Sequence, residues 1–360
     1  MDISYIFQIL IGFIGLVLLA IPFSSNKKII NYRHAVYAIL FQLFLAFILI
    51  KVPFITNLFS YLAEGVAALQ IATGKGTEFV FGYLGGGDLP FELAQKGSAL
   101  IFAFSILPFI IVMSSITAVL WYWGILPLIV NLFSKICQKL FNIGGPIGLG
   151  AAANVIVGQV EAPLLIRPYL SKLSNKELLI LMTAGMSTVA GSIMVALVSM
   201  LQIQFNDLNL IQHFLTASIL SVPAAILFAN IMMPSNEITD FEGNETPKIY
   251  ENTMDAITRG TRDGTDIAIG VGSILIVFIA LVYLVDSILG IFSINDQALS
   301  LQMILGYAFA PIAWLMGIPW EEAVISGKLL GIKTALNEFV AYAELANLQD
   351  GLLSDKAKLI

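Results

Sequence analysis

Residues 3–23 are uncharged and mostly apolar, and residues 34–50 continue in the same way between Arg33 and Lys51. A bilayer-crossing helix takes about 20 predominantly apolar residues. Each stretch therefore predicts one crossing, the second with basic side chains able to snorkel from its ends. The first has no basic leading region and no small-residue cleavage site, so it reads as a permanent span and not as a signal peptide. Four more spans are predicted at 98–131, long enough to tilt, at 178–203, at 210–233 and at 267–285. Residues 54–69, whose one charge is Glu64, read as an interfacial helix, and residues 74–90 as a glycine-rich external stretch.

Two further apolar segments depart from this plain pattern. Residues 141–167 open on Asn142-Ile143-Gly144-Gly145-Pro146 and carry Gly158, Gln159, Glu161 and Pro163 in their second half. Lys135 and Lys139 precede them, and Arg167 and Lys172 close them. Basic residues favour the cytoplasmic side, so basic flanks at both ends predict a segment that enters the membrane and returns. Such a re-entrant hairpin is tolerated at membrane depth only where its irregular tip is buried in protein or lines a wet cavity. Residues 301–327 repeat the design from the opposite side, with Gly317-Ile318-Pro319 at the turn. Paired, broken segments in corresponding halves of an inverted repeat point to the binding site of a transporter.

Composition and charge narrow the class. Of 360 residues 58% are hydrophobic and 12% charged, against roughly 25% charged in an average soluble domain. Too few polar side chains remain to cover a soluble surface, and the chain reads as an all-α polytopic membrane protein. The formal net charge of −6 includes no basic tract that could track phosphates, which excludes nucleic acid as a partner. One cysteine, two distant histidines (His34 and His213) and the absence of H-E-x-x-H and G-x-S-x-G leave zinc and serine hydrolases without their chemistry. Lys27, Lys28, Lys135, Lys139, Lys248, Arg259 and Arg262 fall in alternate connections, whereas 204–209 and 293–300 have no basic residue. This places the N-terminus outside and the first loop inside.

The resulting organisation is two N-terminal transmembrane helices over 1–53, then the interfacial helix and glycine-rich external segment over 54–97. A first repeat over 98–233 holds a scaffold helix, hairpin 1 and two transmembrane helices. A cytoplasmic loop with an amphipathic helix around Glu251 to Thr258 covers 234–266. The second repeat, 267–360, holds a scaffold helix, hairpin 2 and a broken helix.

Polar residues inside the apolar segments carry the candidate chemistry. An ionisable group at membrane depth is costly unless paired or wetted, and so marks function; Glu161, two residues after Gln159, is one. Asn337-Glu338 is its counterpart in the second half. Two carboxylates with two amides suit a neutral, polyhydroxylated or heterocyclic solute better than an anion. Asn154 at the hairpin turn offers an amide oxygen to a cation. Thr183, Ser187, Thr188 and Ser192 offer hydroxyls, or serve with Gly185 and Gly191 in close helix packing. Lys333 either pairs with Glu338 or snorkels. Gly74-Lys75-Gly76-Thr77 lacks the spacing of a phosphate loop. A glycosidase-like pair of carboxylates is disfavoured because neither lies in a wet cleft.

At Gly158-Gln159-Val160-Glu161-Ala162-Pro163-Leu164 and Asn337-Glu338-Phe339-Val340-Ala341-Tyr342 the sequence resembles the concentrative nucleoside transporter family. Supporting stretches are Gly76-Thr77-Glu78-Phe79-Val80-Phe81-Gly82-Tyr83-Leu84-Gly85-Gly86, Ala152-Ala153-Asn154, Val189-Ala190-Gly191-Ser192 and Gly306-Tyr307 through Trp314. The resemblance implies nucleoside symport with sodium, or with protons in some bacterial members. It also implies a homotrimer in the bacterial inner membrane and an elevator-type movement of a hairpin-bearing domain. It needs no cofactor beyond sodium as coupling ion. Carried over by position, Gln159, Val160 and Glu161 fall at the nucleobase, Ile193 packs on the base, and Asn337 and Glu338 fall at the ribose. Asn154, Val157, Thr188 and Val189 fall at the sodium site.

Two departures stand out. Val160 replaces the Thr or Ser common at its position and cannot hydrogen-bond a base. The Phe-Ala-Asn-x-Ser-Ser type motif that follows the Asn-Glu-Phe helix in the family does not occur here, so the second repeat is expected to be incomplete at its C-terminus. The sequence reading is thus a sodium-coupled nucleoside importer and not an enzyme. Its alternatives are a proton-coupled transporter and an incomplete, non-transporting nucleoside-binding membrane protein.

Overall fold

The computed structural model describes residues 3–30, 32–91, 101–156, 158–159, 161–202, 205, 210–235, 237–240, 249–294, 297–349 and 351–360. Helices α1 (Ile3–Ala20), α2 (Tyr32–Lys51) and α3 (Pro53–Phe81) come first, followed by α4 (Phe102–Ser105), α5 (Leu107–Tyr122) and α6 (Ile125–Phe141). The middle of the chain forms α7 (Gly145–Asn154), α8 (Glu161–Leu165), α9 (Asn175–Ser187), α10 (Gly191–Gln202) and α11 (Leu210–Met232). After α12 (Thr253–Leu289), a two-residue antiparallel pairing of β1 (Ser293–Ile294) with β2 (Gln297–Ala298) leads into α13 (Leu301–Leu315). The chain ends in α14 (Trp320–Ala335), α15 (Glu338–Ala346) and α16 (Asp355–Leu359). Apolar side chains remain outside in quantity: Ile276, Tyr283 and Ile288 on α12 are all more than 60% exposed, as lipid permits and water does not.

Two compact units divide the chain. In the unit made of Phe23–Ser199 and Asp207–Ala268, the core surrounds α7, all ten of whose residues are buried. Its sequence, Gly-Pro-Ile-Gly-Leu-Gly-Ala-Ala-Ala-Asn, has little side-chain bulk, and neighbours use the space. A Cβ on Gly148 would stand 2.9 Å from the Ser134 hydroxyl, and one on Gly150 would stand 2.8 Å from a methyl of Leu181. Here the hairpin-like break of residues 141–167 appears as α7, an irregular turn and α8.

Packing by small residues also fixes the first part of α12. Ala256, Gly260, Gly264 and Ala268 recur every fourth position and are all buried. They pack on α5: a Cβ on Gly260 would lie 2.8 Å from Ser115 Cα, and one on Gly264 would lie 2.7 Å from Ile111 Cα. Backbone atoms cannot swing away as a flexible side chain would, so Gly260→Leu is expected to cost about 3 kcal/mol through overpacking. Thermal unfolding in detergent checks this against Gly270→Leu, where a Cβ would meet nothing within 4 Å and no change is expected.

The unit made of Met1–Pro22, Met200–Asn206 and Ile269–Ile360 is built on α13 and α14, which meet at an angle of 117°. The turn between them contains Gly317 in the left-handed region at φ 102°, which explains its glycine. Gln8, a polar residue in the first apolar stretch, donates its amide to the Trp314 and Ile318 carbonyls at 2.9 Å each. It thereby satisfies carbonyls that the bend leaves outside regular helix. Lys328 on α14 pairs with Glu344 on α15 at 3.1 Å, and Gln302 on α13 donates to the other carboxylate oxygen at 3.3 Å.

Four features differ from the sequence reading. The span beginning near 98 ends at Tyr122: Gly124 adopts φ 78° and opens a separate helix, so residues 125–131 belong to α6. The glycine-rich stretch is helical up to Phe81, because half-buried Gly74 and exposed Gly76 continue the hydrogen-bonded ladder of α3. The amphipathic helix around Glu251 and the following span are one 37-residue helix, its charged start tied by the Arg259–Asp255 pair one turn apart at 2.8 Å. Finally, the span at 178–203 is broken at Thr188–Ala190.

Candidate functional site

The break between α9 and α10 stands against the turn after α7. Gly158 takes φ 95°, and a Cβ there would lie 2.7 Å from that of Ala190. A side chain at 158 is therefore opposed both by backbone conformation and by space. The Gly191 N–H donates to the Ile156 carbonyl at 2.9 Å, which ties the turn to the start of α10. The Thr188 hydroxyl lies 2.9 Å from the Ala184 carbonyl and 3.1 Å from the Asn154 carbonyl and shares its proton between them. The Val189 N–H donates to the Ser218 hydroxyl of α11 at 3.2 Å.

Asn154 is the last residue of α7 and is completely buried. Its amide nitrogen lies 3.5 Å from the Leu181 carbonyl, and its Oδ1 has no hydrogen-bond partner. That oxygen would stand 3.3 Å from a Cβ on Gly185, and Gln159 Cβ would stand 2.8 Å from the same point, so glycine at 185 admits both. A buried acceptor without a partner is costly. The Asn154 amide oxygen and the Thr188 hydroxyl oxygen, the latter beside the Asn154 carbonyl, are neutral oxygen donors of the kind hard cations take. Among the described residues no cluster of three His, Cys, Asp or Glu side chains could hold a metal; the candidate here has no charged ligand.

The other predicted positions divide as follows. Gln159 is exposed beside the turn, and Ile193 is half-buried in the first turn of α10. Val157 and Val160 lie outside the described residues, as does the side chain of Glu161, whose backbone opens α8. In the second unit, Asn337 caps α15, its Oδ1 accepting the Val340 N–H at 3.0 Å, and Glu338 begins that helix half-buried. Lys333 is exposed and makes no ion pair with Glu338. The cation that pairs with a carboxylate on α15 is Lys328, a partner of Glu344 that sequence reasoning missed. Its signal was present, since Lys328 and Glu344 are both charges in largely apolar helices.

Electrostatics at the base of the hairpin rest on Glu177, 1% exposed at the start of α9 and ahead of the predicted span. Its carboxylate accepts from the Ser174 N–H and hydroxyl at 2.9 and 3.0 Å, and from the Thr239 N–H and hydroxyl at 2.8 Å each. Burial opposes its ionisation, yet these four donors outweigh that and hold the carboxyl below the ordinary glutamate range. Adjacent Lys176 donates to the Ser235 carbonyl at 2.6 Å. Thr239 O occupies the space that a side chain at Gly144 would need, so the segment from Ser235 to Thr239 straps the start of α7 to α9.

Comparison with known proteins bears on what this arrangement serves. Residues 11–84 match the family model described as Na+ dependent nucleoside transporter N-terminus, and 213–360 match its C-terminus. Residues 103–204 match a model described as nucleoside recognition. The nucleoside permease NupC of Helicobacter pylori is 35% identical over 97% of this chain and 83% of its own length. The sodium/nucleoside cotransporter 1 of Mus musculus is 30% identical over 94% of this chain and 50% of its own length. Among solved structures, CNTnw in an inward-facing substrate-bound state superposes with a TM-score of 0.85 at 32% identity, covering 99% of this chain and 84% of that one.

Proposed function

Because the chain belongs to the concentrative nucleoside transporter family, a family of membrane transporters and not of enzymes, we propose that it imports nucleosides across the bacterial inner membrane by symport with sodium. The observation that carries the coupling is the Asn154 Oδ1, buried without a partner beside the broken helix. A cation would satisfy this buried oxygen, which has no donor. The sodium dependence in the description of the family model and the name of the murine relative support the same ion. In this reading Asn154 and Thr188 give side-chain oxygens and Val157 and Val189 main-chain oxygens. Gln159, Val160 and Glu161 meet the nucleobase, Ile193 packs on it, and Asn337 and Glu338 serve the ribose. The two hairpins are re-entrant, the N-terminus is outside, and the hairpin-bearing domain moves elevator fashion within a homotrimer.

The driving force is sufficient. One charge crossing ~100 mV yields about 2.3 kcal/mol, and a tenfold sodium gradient adds about 1.4 kcal/mol. Together they support roughly several hundred-fold accumulation of a neutral solute. Uptake of labelled uridine and adenosine into proteoliposomes is expected to rise with an inward sodium gradient. Uptake driven by a pH gradient in the absence of sodium would replace sodium by the proton. Binding without accumulation would reduce the chain to a nucleoside-binding membrane protein.

A further inference from the structure

Where α2 begins and α6 and α11 end, the unit of Phe23–Ser199 and Asp207–Ala268 encloses a cavity of about 250 Å³. Its lining is mostly apolar, with Asn142, Asn230 and Ser235 as polar members and, among the described residues, Lys176 as the one charged side chain. Lys176 is 6% exposed and uses one of three protons on the Ser235 carbonyl, which leaves an ammonium with donors to spare. Exposed Lys27 and Lys28 immediately precede Ile29 and Ile30, which line the cavity, and exposed Lys139 precedes Leu140, which also lines it. Of the nearby acids, Glu177 is committed to its four donors, and exposed Glu237 in the strap opposes a single positive charge. Ile29 and Leu140 are each about half exposed although they line the cavity, so apolar surface continues from it to the outside.

We propose that this cavity binds the phosphate headgroup of an anionic phospholipid, with Lys176 as its buried cation and Lys27 and Lys28 as its exposed ones. Basic pockets between transmembrane helices hold such headgroups, and lysines at helix ends sit at the level where headgroups lie. The Asn142 and Asn230 amides add donors for phosphate and glycerol oxygens. The volume takes a phosphodiester and its glycerol, while the acyl chains run out along Ile29 and Leu140. That apolar path selects a lipid over free phosphate. The inference is independent of what the chain transports.

Native mass spectrometry of the full chain in detergent tests it, with phosphatidylglycerol, phosphatidylcholine and inorganic phosphate as probes. Phosphatidylglycerol is expected to be retained in preference to phosphatidylcholine and not to be displaced by millimolar phosphate. Its affinity is expected to fall about fivefold for each lysine removed in Lys27→Ala/Lys28→Ala, and further in Lys176→Met. Because Lys176 also holds Ser235, Ala38→Phe provides a second variant that fills the cavity from α2 and leaves that bond in place. Equal retention of the two lipids, displacement by phosphate, or undiminished phosphatidylglycerol binding by both the double-lysine and Ala38→Phe variants overturns the proposal.

Discussion

Asn154→Ala is expected to abolish the sodium response while leaving the sodium-free protein as stable as before. A cation bound at a hundred times its Kd adds about 2.7 kcal/mol to folding, so the wild-type unfolding temperature in detergent should rise with sodium and that of the variant should not. With the cation no longer held, sodium should no longer stimulate nucleoside uptake. Stability without sodium separates this role from a structural one. In the absence of a ligand, the orphaned Oδ1 is a liability of about 1–3 kcal/mol, and its removal offsets the small cavity left behind. An asparagine that merely braced α7 would instead lower the unfolding temperature equally with and without sodium. That outcome would remove the cation from the site.

How far this site was legible depends on what the backbone does at each residue. The two bends could be read because Gly144-Gly145-Pro146, Gly158 and Gly317-Ile318-Pro319 interrupt long apolar runs with residues whose φ preferences end helices. The Thr188–Ala190 break could not be read from pattern. Thr183, Ser187, Thr188 and Ser192 with Gly185 and Gly191 lower the apolarity around it, but small and hydroxyl residues also pack continuous membrane helices, so the dip does not by itself mark a break. The resemblance marked Thr188 and Val189, and the structure adds that the chain leaves the helix at those residues, with Thr188 Oγ1 beside Asn154 O. Gly124 hid for the opposite reason: one glycine in a long apolar run is compatible with a continuous tilted span until its φ of 78° is seen. Across 234–266 the charges suggested a wet loop with an amphipathic helix only around Glu251 to Thr258, but the small residues at every fourth position from Ala256 to Ala268 carried the signal of a longer helix. Glu177 was passed over because its four donors come from its own turn and from Thr239, 62 residues away, and no local pattern announces such a bond.

Glu177→Ala should be among the most destabilising single changes in this unit. It strips the acceptor from two backbone N–H groups, those of Ser174 and Thr239, and from two hydroxyls, and frees the strap from α9. Each buried donor left unpaired costs about 1–3 kcal/mol, so a loss of about 3 kcal/mol or more is expected in thermal unfolding. Glu177→Gln keeps one acceptor oxygen and should cost about half as much, and it separates charge from shape through pH. The wild-type carboxyl has its folded pKa held below the ordinary value of 4.5. Its contribution is therefore full above that value and is lost as pH falls through the lower folded one. Wild-type stability should drop across this acidic window, whereas Glu177→Gln, with nothing to protonate there, should show a shallower profile. Parallel profiles would mean that the carboxylate is not what fastens the strap. Since Thr239 sits directly over Gly144, loosening it also frees the start of the first hairpin, and the variant should release sodium and nucleoside more readily at neutral pH.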